Sequence, residues 1–359
     1  MDKFDYDVII IGSGPAGSSL ARILNPNLKV LLVDKRALGN EPSKLIKNCG
    51  GLIAPDAQKA LASFGLSIPK SVLVSPQMFS VETLDFDNNM VRSYQRHYIN
   101  VDRERYDRWL VSLCDKNIKK SFGTRYIKSE KYENGLKVTL LKDGVKQTFS
   151  TRILVGADGA NSRVKKEFMP VNNIKKYISI QEWFENTEDI NQFVAMFDEE
   201  ISDFYSWIIP KDDHIIFGSA VQEGRDATTY HNLQKKKLEK YGYKLDKPIK
   251  REGCYLLRPT SPKYINLGDG CVALIGEASG LISPTSAEGI SYAMISGCML
   301  GDAINEDISN FLNIYKNKAQ KLKNNISSKM LKYPTMYNKN IRKMIFKLGV
   351  GSIEIRGRK

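Results

Sequence analysis

The sequence predicts an α/β protein: a parallel-sheet domain of the doubly wound kind, interrupted by an inserted, mainly antiparallel β-sheet and followed by a helical C-terminal segment. Three observations predict it. The chain opens on a strand–helix–strand unit with the connection length a parallel crossover needs. Its middle turns to short alternating segments that are typical of antiparallel strands. Its last fifty residues are helical in pattern and strongly basic.

Taken in order, Tyr6–Ile11 is an apolar run, interrupted by Asp7 alone and ending on Gly12, the form of a strand buried on both faces. Ser18–Leu24 continues as a helix, which Pro26 stops, and Lys29–Val33 is a second buried strand closed by Asp34. Residues 78–94 alternate around Asp87-Asn88-Asn89 as a hairpin, and 102–117 read as a helix with Tyr106, Leu110 and Leu113 on one face. Leu136–Leu141 and Gln147–Ile153 flank Asp143-Gly144, a strong hairpin turn. Four short strands follow at Tyr177–Trp183, Phe193–Phe197, Tyr205–Ile209 and His214–Val221. Cys271–Ile275 is another buried strand, and Gly289–Ile304 is an apolar helix rich in small residues. The expected division is a discontinuous nucleotide-binding domain (1–75, 96–170 and 262–310), a substrate domain (76–95 and 171–261) and a basic helical segment (311–359).

Composition limits the function classes. At 359 residues, 42% hydrophobic and 26% charged, the chain can bury a full core and is not a disordered one. No run approaches eighteen apolar residues, and the acidic start leading directly into a strand is not a secretory signal. Five scattered cysteines (49, 114, 254, 271 and 298) form neither a disulfide framework nor a zinc motif. A cytoplasmic enzyme is the expectation. The net charge of +14 is uneven: residues 315–359 hold thirteen Lys/Arg against Glu354 alone and supply +12 of it. A basic tail on a near-neutral body, without a nucleic-acid motif, excludes a nucleic-acid role and suggests a local surface. With Met344-Ile345-Phe346-Lys347-Leu348 in apolar spacing, it reads either as a solvated terminal helix or as one lying on the anionic inner surface of a membrane.

The chemistry begins at Gly12-Ser13-Gly14-Pro15-Ala16-Gly17, between strand and helix. Gly12 allows the tight turn, Gly14 lets backbone approach a pyrophosphate, and Gly17 lets the helix pack on the strand. The helix start, with Ala16 and Gly17, offers N–H groups to phosphates. Asp34 closes the next strand, where an acid accepts from ribose hydroxyls, with Lys35 beside it. This is a Rossmann-like dinucleotide site, and NAD and FAD share it.

Two later blocks distinguish them: residues 152–164 with Gly156-Ala157-Asp158-Gly159, and residues 271–290 with Gly276-Glu277-Ala278-Ser279-Gly280, Pro284 and Gly289-Ile290. In this order they resemble the FAD-binding signatures of the para-hydroxybenzoate hydroxylase class and its relatives, above all the geranylgeranyl reductase family, from Tyr6 to about Ile304. Lys47-Asn48-Cys49-Gly50-Gly51 resembles that family's Cys-Gly-Gly segment near flavin and substrate, and Arg103 opens a helix similar to the one whose first arginine contacts FAD. Tyr205-Ser206-Trp207-Ile208-Ile209-Pro210-Lys211 resembles the family's Tyr-x-Trp-x-Phe-Pro strand in the substrate domain. Two positions depart: Glu277 replaces the usual Asp, and Ile209 replaces an aromatic, as in the related flavin-dependent halogenases.

The resemblance implies FAD held by Gly12, Gly14, Ala16, Gly17, Asp34, Lys35, Arg103, Asp158, Gly276, Glu277, Gly280, Pro284, Gly289 and Ile290. It implies Cys49 at the reacting centre and Tyr205, Trp207 and Pro210 on the substrate side. Cys49 also reads as a buried filler, Tyr205 and Trp207 as core, and Glu288 as a helix-start carboxylate or a proton donor beside the flavin. His97, His214 and His231 share no spacing, so no metal site or catalytic triad is expected. The expected activity is reduction of a C=C bond in an apolar, isoprenoid-like substrate by hydride from reduced flavin N5. The alternative is a monooxygenase or halogenase acting through a flavin hydroperoxide, and a last reading holds FAD merely for structure. Only one GxGxxG unit is present, so electrons would come from transiently docked NAD(P)H or from an electron-donor protein.

Overall fold

The structure, a computed structural model, describes residues 4–38, 48–169 and 174–355. Lys47 of the Cys-Gly-Gly segment and Arg356, Arg358 and Lys359 of the tail lie outside the described residues. The chain begins β1 (Tyr6–Ile11), α1 (Pro15–Ile23), β2 (Val30–Asp34), β3 (Leu52–Ile53) and α2 (Pro55–Ser63). It continues with β4 (Met78–Asp85), β5 (Met90–Asn100), α3 (Arg103–Ser112), β6 (Lys119–Phe122), β7 (Thr124–Tyr132), β8 (Gly135–Lys142), β9 (Val145–Gly156) and α4 (Arg163–Phe168). The middle holds β10 (Lys175–Glu185), β11 (Phe193–Phe197), β12 (Ser206–Lys211), β13 (His214–Gln222), α5 (Ala227–Leu238) and β14 (Lys250–Arg258). The chain then runs through β15 (Gly268–Asp269), β16 (Val272–Leu274), α6 (Ile290–Glu306), α7 (Phe311–Lys318), α8 (Gln320–Leu331), α9 (Tyr333–Tyr337), α10 (Lys339–Leu348) and β17 (Ser352–Ile353).

Two sheets result. The first has the order β15-β16-β9-β1-β2-β6, with β7 and β8 folding back from β9 as a meander. β1 lies parallel to both β2 and β9, and β16 is parallel to β9. A central strand in such a sheet needs apolar side chains on both faces, which is why Val8, Ile9 and Ile10 are all wholly buried. The second sheet runs β14-β10-β13-β12-β11-β4-β5-β17 and is antiparallel except where β11 pairs with β4.

Several elements are not evident from the sequence. β14, sequence KREGCYLLR, is an edge strand that is mostly solvent-facing until its last two residues, so no clean alternation marks it. The helix expected over 102–117 stops at Ser112; Asp102 caps its start by accepting from the Arg105 N–H at 2.8 Å.

The C-terminal segment corrects the picture of a solvated tail. Phe311, Leu312, Tyr315, Leu322 and Ile326 enter the core behind the first sheet, and Tyr337 enters that of the second. Arg342 is buried against Asp85 at 2.8 Å and Asp87 at 2.5 Å, and β17 adds to the edge of β5. The segment straps both sheets together. Among the described residues no helix is long and apolar enough to cross a membrane, and no group of His, Cys, Asp and Glu could hold a metal.

Candidate dinucleotide and substrate site

The turn after β1 is shaped by what a side chain would collide with. Gly12 has φ +106°, and a Cβ there would lie 2.4 Å from the Ala157 carbonyl oxygen. A Cβ on Gly17 would lie 1.9 Å from the Gly12 oxygen, whereas one on Gly14 would meet no atom within 4 Å. The first and third glycines therefore serve the protein's own packing, and the middle one faces open space. Gly14 is also the N-cap of α1, with no side chain capping it, so the first N–H groups are available to an anion.

α6 begins in the same way. Gly289 is its N-cap and no side chain caps the turn. Gly297 lets α6 lie directly on α1, since a Cβ there would be 2.4 Å from the Ala16 oxygen. The Cα position of Gly276 approaches the same helix: its Cβ would lie 3.0 Å from that of Ala16. Two uncapped helix starts thus belong to one packed pair.

Asp34 is buried at the end of β2, and its carboxylate accepts from Ser13 N at 2.8 Å, Ser13 Oγ at 2.7 Å and Arg36 N at 2.8 Å. Burial alone would raise its pKa, but the Arg36 charge and these bonds outweigh that and hold it below the usual range. Lys35 faces solvent; the inward cation is Arg36, which sequence reasoning missed. Arg36 bridges Asp34 at 3.0 Å and Asp107 at 2.6 Å, and Asp107 also holds Arg103 at 2.9 Å. A buried chain Asp34–Arg36–Asp107–Arg103 therefore runs from the β2 end to the start of α3. The only sequence signal for it is that Asp107 stands four residues after Arg103.

Asp158 follows β9 and caps the turn into α4, its Oδ2 accepting from Arg163 N at 2.7 Å. Its Oδ1 is shut from solvent with no partner among the described residues, and burial pushes the carboxyl up. Glu277 reaches across to the second sheet, accepting from Leu257 N at 3.0 Å. Gly280 ends the turn after it in a left-handed conformation. The loop from Pro284 to Glu288 hangs from three carbonyls: Pro284 O accepts from Arg258 Nε at 3.0 Å, Thr285 O from Tyr337 OH at 2.6 Å, and Ser286 O from Tyr205 OH at 2.8 Å. Arg258 is fully buried, with Phe204, Tyr333 and Tyr337 rings 4.2 to 4.3 Å from its guanidinium. The C-terminal strap therefore helps to set this loop.

The Cys49-Gly50-Gly51 segment lies against β12 and the residue after β5. A Cβ on Gly50 would be 2.3 Å from Ile209 Cδ1, and one on Gly51 would be 2.3 Å from the Val101 oxygen and 2.8 Å from Lys211 Nζ. Cys49 interacts with Arg103 and lies in the field of Lys211. The Lys211 amine is buried and donates to Val101 O at 2.9 Å and to Asn100 Oδ1. Burial pulls its pKa down to about 7. Asn100 Nδ2 in turn donates to Pro210 O at 2.8 Å.

Tyr205 and Trp207 stand 5.5 Å apart, ring to ring, in an apolar cluster with Met78, Phe193 and Ile209. Trp207 lies flat against Gly218, where a Cβ would be 2.3 Å from its ring, and its buried Nε1 has no partner among the described residues. Of the three histidines, His231 of α5 is buried against the second sheet, stacked on Phe217 and next to Glu182, away from this cluster.

The residues present fit an extended dinucleotide such as FAD. Open space stands before Gly14, α1 and α6 both start uncapped, and Asp158 keeps one buried acceptor unused. Asp34 is less open, because Ser13 and Arg36 already fill much of its acceptor capacity.

Comparisons with known proteins agree on architecture. No family model matches the chain. A geranylgeranyl bacteriochlorophyll reductase-like protein of Thermoplasma acidophilum superposes with a TM-score of 0.77 at 17% identity, covering 93% of this chain and 87% of that one. Aklavinone-11 hydroxylase, solved with FAD and aklavinone, gives 0.71 at 16% identity over 96% and 71% of the two chains. At such identities the likeness establishes the fold, which is shared with these two proteins. In sequence the chain is similar to protein CbrA of Escherichia coli strain HS, 38% identical over 349 residues, 97% of this chain and 94% of that one. Protein CbrA of strain K12 is 37% identical, with 97% and 98% covered. With that identity spread over nearly its whole length, the chain belongs to the CbrA family.

Proposed function

We propose that the chain is an FAD-dependent oxidoreductase that reduces a C=C bond in an apolar, isoprenoid-like substrate. The observation that carries this reading is the pairing of two uncapped helix starts, at Gly14 and Gly289, with an apolar cluster of Met78, Phe193, Trp207 and Ile209 beside Gly50 and the Pro284–Glu288 loop. The α1 start and Gly14 would hold the pyrophosphate, and Asp158 would accept from the chain linking it to the ring system. The α6 start would favour negative charge on the ring, with Cys49 and Arg103 close by. Reduced FAD, when bound, supplies a hydride. The aromatic and aliphatic side chains exclude water and hold the substrate by burial. Electrons would come from NAD(P)H or from a donor protein.

Ile209 supports a second reading, an oxygen-using hydroxylase or halogenase, because the halogenase-like segment carries isoleucine there. One experiment separates them. The bound flavin is reduced anaerobically and mixed with polyprenyl lipids or with oxygen. Reoxidation by the lipid with a saturated product supports the reductase; a long-lived peroxide spectrum and no lipid reduction overturns it.

We also propose contact with an anionic membrane surface through α10. Its inner face is fixed by Arg342 and Phe346, while Met344 and Leu348 are 57% and 70% exposed beside solvent-facing Lys343 and Lys347. An apolar stripe flanked by lysines suits a bilayer carrying negative lipid, at about 1 kcal/mol per lysine. The protein is expected to sediment with phosphatidylglycerol-containing vesicles, and not with phosphatidylcholine alone. Replacing Lys343 and Lys347 by glutamate should reduce binding by roughly ten-fold or more. Unchanged sedimentation would remove this contact from the reading.

A further inference from the structure

The acid needed by a C=C reduction has a candidate in the structure. Hydride addition gives one carbon its new C–H bond, and the other must take a proton from a group that is protonated at working pH and lies at an apolar wall. Cys49 contacts the Arg103 guanidinium and lies near the Lys211 amine, on the polar side of the site. Glu288, like Cys49, lies near Tyr205 and directly precedes the α6 start. Its neighbour Ala287 packs against the cluster that holds Tyr205, Trp207 and Ile209. Tyr98, from β5, donates to Glu288 Oε1 at 3.4 Å and rests edge-on against Phe193 of β11, their rings 5.6 Å apart.

We propose that Glu288 is the proton donor of this site, with Tyr98 as the residue that orients its carboxyl. This rests on the reductase reading above. In the step, the hydride from reduced flavin forms a C–H bond at one alkene carbon. The Glu288 O–H bond breaks and its proton forms the C–H bond at the other. The alkene is reduced, the flavin is oxidised, and the Glu288 carboxylate regains a proton from solvent.

The surroundings favour the protonated form and offer a return path. Burial is the largest influence on Glu288 and raises its pKa; the Asp56 charge raises it further, while Lys329 and bonds from Ser286 and Tyr98 act the other way. The groups that face it from packed elements are Tyr98 of β5, Tyr205 before β12, Ser286 in the loop, Tyr292 of α6, Lys329 of α8 and Asp56 of α2. Lys329 holds the exposed Asp56 at 2.8 Å and stands 5.3 Å over the Tyr292 ring. A line of titratable groups thus leads from solvent to the carboxyl, and the route enters between α2 and α8.

The test compares wild type with Glu288→Gln and Tyr98→Phe, all loaded with FAD. Infrared difference spectra against Glu288→Gln should show a protonated carboxylic acid in the wild type at neutral pH, a readout independent of turnover. In anaerobic mixing with polyprenyl lipid, Glu288→Gln is expected to reoxidise at least about 100-fold more slowly. Its FAD affinity and its rate with an artificial one-electron acceptor should match wild type. Glu288→Asp should recover part of the rate, and Tyr98→Phe should fall roughly ten-fold. If wild type reacts and Glu288→Gln reacts as fast, or if no protonated carboxyl band is lost, Glu288 is not the donor while the reductase reading stands. A wild type inert to every polyprenyl lipid defeats the reductase reading and this inference with it. Should Glu288→Gln not fold, an unchanged rate in Tyr98→Phe together with an ionised band at the wild-type carboxyl would overturn the proposal.

Discussion

A Gly14→Val protein is expected to fold and melt like wild type when stripped of cofactor, yet to bind FAD at least about 100-fold more weakly. The two halves of that result have different physical sources. Gly14 has φ −69° and ψ −173°, extended backbone that valine adopts readily, and no atom stands within 4 Å of its would-be Cβ. Neither the backbone conformation nor any atom near the Cβ position resists the side chain. The new methyl groups then occupy the space in front of the α1 start, where a pyrophosphate must approach the backbone. Overpacking of that kind costs about 1–3 kcal/mol, and loss of the N–H contacts adds to it. Gly17→Ala is the control with the opposite signature: its Cβ would lie 1.9 Å from the Gly12 oxygen, so stability itself must fall. Fluorescence titration with FAD and thermal melts of the stripped proteins read both quantities. A Gly14→Val protein that holds FAD normally would mean the cofactor lies elsewhere, and one that fails to fold would mean the space is not open.

Much of this site could be read from residue order because its demands are local. A glycine that must turn, a glycine that must be approached and a glycine that must pack all fall within six residues of one strand end, and the structure gives each its separate reason at Gly12, Gly14 and Gly17. The apolar strands around them declare themselves by composition. What escaped notice depends on residues distant in sequence. Arg36 is indistinguishable from Lys35 until the backbone turns one inward to Asp107, seventy-one positions away. Arg258 ends a strand that reads as polar, and its value comes from Tyr177, Phe204, Tyr333 and Tyr337 gathered from three other segments. Lys211 appeared as the end of a motif, while its burial follows from Asn100 and Val101. The basic tail misled because charge was counted over all faces of its helices. In α10 the lysines lie on the exposed face and the inner one places Arg342 and Phe346 against the second sheet, while Lys329 of α8 turns inward to Asp56 and Tyr292.

The ion-pair chain beneath the site should prove the more consequential for stability. Asp107 is 1% exposed and, among the described residues, is the one carboxylate that touches both Arg36 and Arg103. Asp107→Asn keeps the shape and removes the charge, so Arg103 keeps no carboxylate partner among the described residues and Arg36 keeps only Asp34. Breaking a buried pair by removing one partner costs about 3–5 kcal/mol, because the remaining charge stays desolvated. At pH 7 the melting temperature should fall by something on the order of 10 °C. The pH dependence follows from the direction of the shifts. Burial by itself would raise Asp107, but Arg103 and Arg36 outweigh it and hold its pKa below the ordinary carboxylate value; Asp34 is lowered in the same sense. Below about pH 4, where an unfolded Asp takes up a proton and these do not, the unfolded state binds more protons and folding weakens as pH falls. The stabilisation is therefore fully present above that range and is lost on the acid side. Wild type should show a steep acid limb, and Asp107→Asn a shallower one by up to about 1.4 kcal/mol per pH unit, with the Asp34 share retained. Denaturant titrations between pH 2 and pH 7 measure both slopes. Because Arg103 also borders Cys49, a loosened Arg103 should change the environment of that thiol, read as a changed rate of alkylation at fixed pH. A variant as stable as wild type at pH 7, with an unaltered acid limb, would show that the two guanidiniums do not depend on Asp107.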